Sequence, residues 1–319
     1  MQNSTAYGNI FINVFVTSLM TSFLIVQLVV VVIFLYINCL MIFTFLKKEA
    51  FRTDTRYILF AQTLFTDSAL IVLTNLAVLG VHFQVSINFV VCIFFSNIMS
   101  LLTVVSPLTL VAMCLERYVA ICMPLRHADI STPRTRKVGL LTTWLIGTPI
   151  PLITVLSAFI LIPPRFLVGD VVCSVDVLFV EDWQNLSRAT LFQLYFVAMF
   201  GIILFTYIKI MQAAKMASSD KQSTHKGLRT VILHAFQLLL SLLQFLCPYV
   251  EKMVMEFDIL LFINLRYINF LLFILSPRCL SPLIYGLRDE KFSVVLRNYA
   301  FFGHYTFVSN LTSVSELLN

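Results

Sequence analysis

The triplet Glu116-Arg117-Tyr118 stands at the end of a long apolar stretch, inside the run "CLERYVAICMPLRH" from Cys114 to His127. A carboxylate there can hold the neighbouring guanidinium by a charged hydrogen bond. An arginine held in that way can also be released, which makes a two-state element rather than a catalytic one. Two more charges, Asp67 and Arg278, fall inside apolar stretches. Charge is costly in hydrocarbon, so each marks a functional position by default. Either the two meet at one depth and relieve each other's desolvation, or Arg278 snorkels or lines a wet cavity. Asp67 has no acidic partner in another apolar stretch, which argues against an intramembrane enzyme. The seven cysteines and five histidines show no clustered metal-ligand spacing, so neither a metal nor another cofactor is expected.

These residues need elements to hold them, and composition names the solvent. Hydrophobic residues make up 59% of the 319 positions and charged residues only 12%. A soluble domain carries about a quarter charged residues, so this chain belongs in a bilayer. Seven stretches reach the roughly 20 residues that a helix needs to cross it: Ser22–Leu46, Tyr57–Val81, Val90–Cys122, Val138–Ile162, Ala189–Gln212, Leu228–Val250 and Ile259–Leu287. The short alternating blocks of a barrel are not present. The expected fold is an all-α membrane protein, a seven-transmembrane helix bundle over residues 22–287. Residues 1–21 form an outer amino-terminal segment without a cleavable signal. Residues 288–319 form an inner tail.

Basic residues set the orientation. Lys47, Lys48, Arg52 and Arg56 occupy the first connection, and Arg126, Arg134, Arg136 and Lys137 the second. Lys and Arg are sparse on the other side. The amino terminus is therefore expected outside and the carboxyl terminus inside, with the net charge of +6 facing membrane lipid rather than nucleic acid. Cys92 and Cys173 then both face the oxidising side, where no other loop cysteine competes, and a disulfide is expected. The sequons at Asn3 and Asn185 face outward and Asn310 inward. After the last span, the run from Arg288 through Phe292, Val294, Val295 and Leu296 to Tyr299 reads as a short amphipathic helix on the membrane surface, the alternative being a disordered tail. Pro107, Pro149, Pro151, Pro248, Pro277 and Pro282 each remove a backbone donor and provide hinges or packing adjustments.

Taken in chain order, Asn38, Asp67, Cys92, Arg117, Trp144, Pro248, Pro282 and Tyr285 resemble the anchors of the rhodopsin-like G-protein-coupled receptors, over nearly the whole chain. Within that family, "MCLERYVAICMPLRH" and "SPLIYGLRDEKF" resemble the odorant receptors, and Glu116 with "TVILHAFQLLLSLL" resembles their fish-type branch. The resemblance implies a plasma-membrane receptor that binds a small odorant or pheromone from outside. It also implies coupling to an olfactory, stimulatory heterotrimeric G protein that raises cyclic AMP. It places the ligand among Met99, Ser100, Thr103, Phe192, Tyr195, Phe196, Tyr249, Met253 and Leu271, each of which is equally assignable to packing. It assigns coupling to Glu116, Arg117, Tyr118, Tyr207 and Tyr285, and an intramembrane polar core to Asn38, Asp67, Ser106, Arg278 and Ser281. Ser281 replaces the family's usual Asn. Arg278 would compete with the sodium ion that relatives hold near the Asp67 position, so sodium regulation is not expected. Met99 offers no acid for an amine ligand. The rival readings are a receptor for a small hormone or pheromone and, more remotely, a transporter, though no inverted repeat is visible.

Overall fold

In a computed structural model the chain is described for residues 2–174, 178, 181–216, 232–233, 235–286 and 292–296. Among these residues, seven helices are long and apolar enough to cross a membrane: Met20–Lys47, Thr55–His82, Phe89–Cys122, Pro133–Leu161, Asp182–Ala213, Ala235–Met255 and Leu260–Pro282. Numbered in chain order as spans one to seven, each overlaps an expected stretch.

The departures have local causes. Residues 2–21, expected as a separate segment, continue the first helix, which runs Gln2–Lys47. Residues 10–20 are mostly apolar and carry no proline, so nothing stops the helix there. Span five starts at Asp182 rather than Ala189, with an acidic residue in its first turn, where the helix dipole favours one. Span four is two helices, Pro133–Gly147 and Pro149–Leu161, because two prolines follow the join. Span three passes through Pro107 unbroken as Phe89–Cys122. Span seven joins Ile259–Asn269 to Ser276–Gly286 through a wide π turn, Phe270–Leu275, set just before Pro277.

Span three is the centre of the bundle and packs on spans two, four and five. Its approach to span four is close at Gly147. A Cβ there would sit 3.0 Å from Val105 Cγ2 and 3.1 Å from Leu101 Cδ1. The largest buried cluster joins Phe60 and Leu64 of span two, Leu110 of span three, and Leu238, Leu242 and Phe245 of span six. Val26, Val29, Val32 and Ile33 of span one stay exposed, as a lipid-facing side should.

Each end of the bundle has a small closure. At one end, strands β1 (Ser86–Asn88) and β2 (Asp170–Val172) pair antiparallel, Ile87 opposite Val171. The expected bond between Cys92 and Cys173 is present beside them, with Cα atoms 5.5 Å apart. At the other end, residues 292–296 are helical, with Phe292, Ser293 and Leu296 buried and Val294 exposed. Phe292 enters an aromatic group with Phe51, Phe60 and Tyr57 at 5.2, 5.7 and 6.2 Å. The rest of that expected helix (288–291 and Tyr299) and Asn310 lie outside the described residues.

Candidate functional site

Three groups of expected residues occupy three levels of the bundle. The middle level is the most tightly built. Asp67 and Arg278 are 1% and 4% exposed, and Arg278 Nε lies 3.7 Å from Asp67 Oδ1. Spans two and seven run in opposite directions, which brings residues from opposite ends of the sequence to one depth. Ser106 Oγ donates to Asp67 Oδ1 at 2.5 Å, and Ser281 also reaches the carboxyl. Arg278 Nη2 donates to Gln244 Oε1 at 3.3 Å, and Arg278 Nη1 donates to the Ile274 carbonyl in the π turn. Asn38 belongs to the same layer but reaches a different partner, donating to Ser68 Oγ at 3.0 Å. The guanidinium therefore stands where a free cation would approach the Asp67 carboxylate.

Sequence reasoning missed two members of this layer. Gln237 and Gln244 of span six are 0% and 8% exposed. Gln237 Nε2 donates to the Pro277 carbonyl at 3.1 Å and to Ser281 Oγ. The available signal was two amides in an apolar stretch at a spacing of about two helical turns, on one face. A third amide, Gln62 of span two, donates to Thr109 Oγ1 at 3.1 Å and to Thr143 Oγ1 at 3.4 Å, tying spans two, three and four.

At the Arg117 end, the expected Glu116–Arg117 pair does not form. Glu116 Oε1 instead lies 3.4 Å from His127 Nε2, on the short helix Pro124–Ile130. Consecutive helical residues point about 100° apart and do not face each other, so chain adjacency was the wrong guide. Arg117 is half-buried, and its Nε and Nη2 are buried without a hydrogen-bond partner. Tyr118 packs on Phe205 of span five at 5.9 Å, and Tyr207, two residues further along span five, is half-buried. The Tyr285 backbone closes span seven.

At the Cys92 end, the nine expected ligand residues fall in different surroundings. Met99, Ser100 and Thr103 are half-buried on span three, with Thr103 Oγ1 donating to the Met99 carbonyl at 2.8 Å. Phe192, Tyr195 and Phe196 pack against the large core cluster. Phe192 stacks on Phe245 at 5.1 Å, and Tyr195 donates to the Ile146 carbonyl of span four at 2.5 Å. Tyr249 keeps a buried hydroxyl without a partner. Met253 is 65% exposed and turns away from the core, while Leu271 packs with Val31, Ile71 and Leu275 between spans one, two and seven. Those last two stand apart from the group on spans three, five and six. Asn185 is exposed in the first turn of span five, where a glycan could reach it, and Asn3 lies in the extension of the first helix.

Residues 37–285 match the family described as the 7 transmembrane receptor (rhodopsin family). Over 278 residues the chain is 52% identical to a Danio rerio protein named Odorant receptor 131-2, a match that covers 87% of this chain and 85% of that protein.

Proposed function

Because the chain belongs to the rhodopsin family of seven-transmembrane receptors, as an odorant receptor of the fish type, we propose that it takes a small, largely apolar ligand on the Cys92 side. The bundle answers by activating a stimulatory, olfactory-type G protein that raises cyclic AMP. The observation that carries this reading is the 52% identity, over most of both chains, to a protein named as an odorant receptor. In this reading the Cys92 end faces outside at the plasma membrane, and the basic connections face the inner leaflet and the G protein.

The parts divide the work. The strand clip and disulfide hold the loop after span four over the ligand side. Met99, Ser100, Thr103, Phe192, Phe196 and Tyr249 supply apolar contact and a few hydroxyls, which suits a ligand oriented by one or two hydrogen bonds. Ligand binding shifts the population between two bundle arrangements in proportion to its preference for one of them. Arg117, already free of Glu116, meets the G protein at the far end.

The test is cyclic AMP in cells that carry this chain and the olfactory G protein, challenged with odorants, bile acids, amino acids and prostaglandins. A dose-dependent rise is expected in the parent and not in Arg117→Ala at equal surface expression. Ligand-evoked signal retained in Arg117→Ala would refute the coupling role.

A further inference from the structure

Span six is broken where it meets the buried ion pair. Residues 235–243 are helical, residues 244–246 form turns, and the helix resumes over Cys247–Met255. Pro248 causes the break, because it has no N–H to offer the carbonyl four residues earlier, which belongs to Gln244. Tighter bonds take over in the gap: Phe245 N to Leu242 O at 3.1 Å, Leu246 N to Leu243 O at 3.0 Å, and Tyr249 N to Leu246 O at 3.2 Å.

The side chain of Gln244 thus projects from the pivot itself, and it accepts from Arg278 Nη2 at 3.3 Å. Arg278 in turn lies against Asp67 of span two. About two turns toward the Arg117 end, Gln237 grips span seven at Pro277 and Ser281. Both amides keep a buried atom unsatisfied, Gln237 Oε1 and Gln244 Nε2. Each amide therefore ties span six to span seven through its side chain, one at the break and one below it.

We propose that Gln244 is a positioning residue that ties the pivot of span six to the Asp67–Arg278 pair, with Gln237 as a second tie, and that together they set how often the unliganded receptor samples its signalling arrangement. This rests on the receptor reading above. In the motion proposed, the inner half of span six moves away from spans three and seven, which pulls Gln237 off Pro277 and Ser281 and turns the pivot at Gln244. Both bonds must part for that motion. Because Gln244 bonds a charged group, its loss shifts the balance roughly tenfold.

The experiment reads the arrangement directly, without a G protein. Full-length receptor in lipid nanodiscs carries spin labels at Ile121 and Phe236, which are 41% and 53% exposed near the inner ends of spans three and six. Gln244→Leu should raise the long-distance population roughly tenfold without ligand. Gln244→Glu places a carboxylate on Arg278 and should drop that population below the parent's. Gln237 hydrogen-bonds neither Asp67 nor Arg278 directly, and Gln237→Leu should also raise it. Shifts of opposite sign in the two Gln244 variants are not expected of a merely structural residue. Equal shifts in one direction, or none in any variant, overturn the tie. Because no cyclic AMP is measured, these outcomes stand apart from success or failure of the ligand assay.

Discussion

Replacing Arg278 by Met leaves the Asp67 carboxyl, 1% exposed, with the Ser106 and Ser281 hydroxyls and no cation. At the observed 3.7 Å, and with the effective dielectric of about 20 that suits protein sites, the attraction lost is roughly 4.5 kcal/mol. That agrees with the roughly 3–5 kcal/mol cost of removing one partner of a buried pair. Set against a total stability of about 5–15 kcal/mol, such a loss takes much of the receptor below the folded threshold. Asp67→Leu should cost a similar amount, since it strands Arg278 on Gln244 and the Ile274 carbonyl. The double variant removes both charges and should lose far less than the two singles together. A coupling of at least about 2 kcal/mol is expected. The assay is unfolding of detergent-solubilised receptor, with surface delivery counted by flow cytometry. Two results would refute the reasoning: Arg278→Met losing under about 1 kcal/mol, or a double loss equal to the sum of the singles.

Three other substitutions probe packing and the bridge. Gly147→Leu drives a side chain into Val105 and Leu101 of span three and should cost roughly 1–3 kcal/mol. Gly139→Leu, where a Cβ meets nothing within 4 Å, should be neutral or slightly stabilising; equal thermal shifts in the two would count against the close approach. Cys92→Ser opens a loop with a sequence separation of 81 and should remove about 4–5 kcal/mol by chain entropy, stopping surface delivery. Normal delivery would mean that the bridge is dispensable.

The spans were legible because hydrocarbon leaves few choices. A stretch of about 20 apolar residues must be helical, since no water satisfies its backbone. Asp67 and Arg278 were legible for the same reason: a charge in such a stretch stands out, and antiparallel spans can bring two of them to one depth. Gln237 and Gln244 were not, because an amide is polar enough to matter yet too mild to break an apolar pattern. The strands Ser86–Asn88 and Asp170–Val172 are too short to show a period. The π turn Phe270–Leu275 has the same apolar sequence as the helix around it, and its cause, Pro277, is visible only as a proline. Chain adjacency is a poor guide at Glu116, whose partner in space is His127 on the next short helix.

The separation of Cys92 and Cys173 also fixes a schedule. A ribosome adding roughly 5–20 residues per second needs about 4–16 s to travel the 81 positions between them. Throughout that interval Cys92 has no Cys173 to pair with, and both remaining transits of the membrane before Cys173 must finish before its partner emerges. The bond therefore records that spans three and four entered the membrane in the right order. A chain that stalls or inverts span four keeps a naked thiol, and any thiol-sensing quality control in the secretory route can recognise it by that alone.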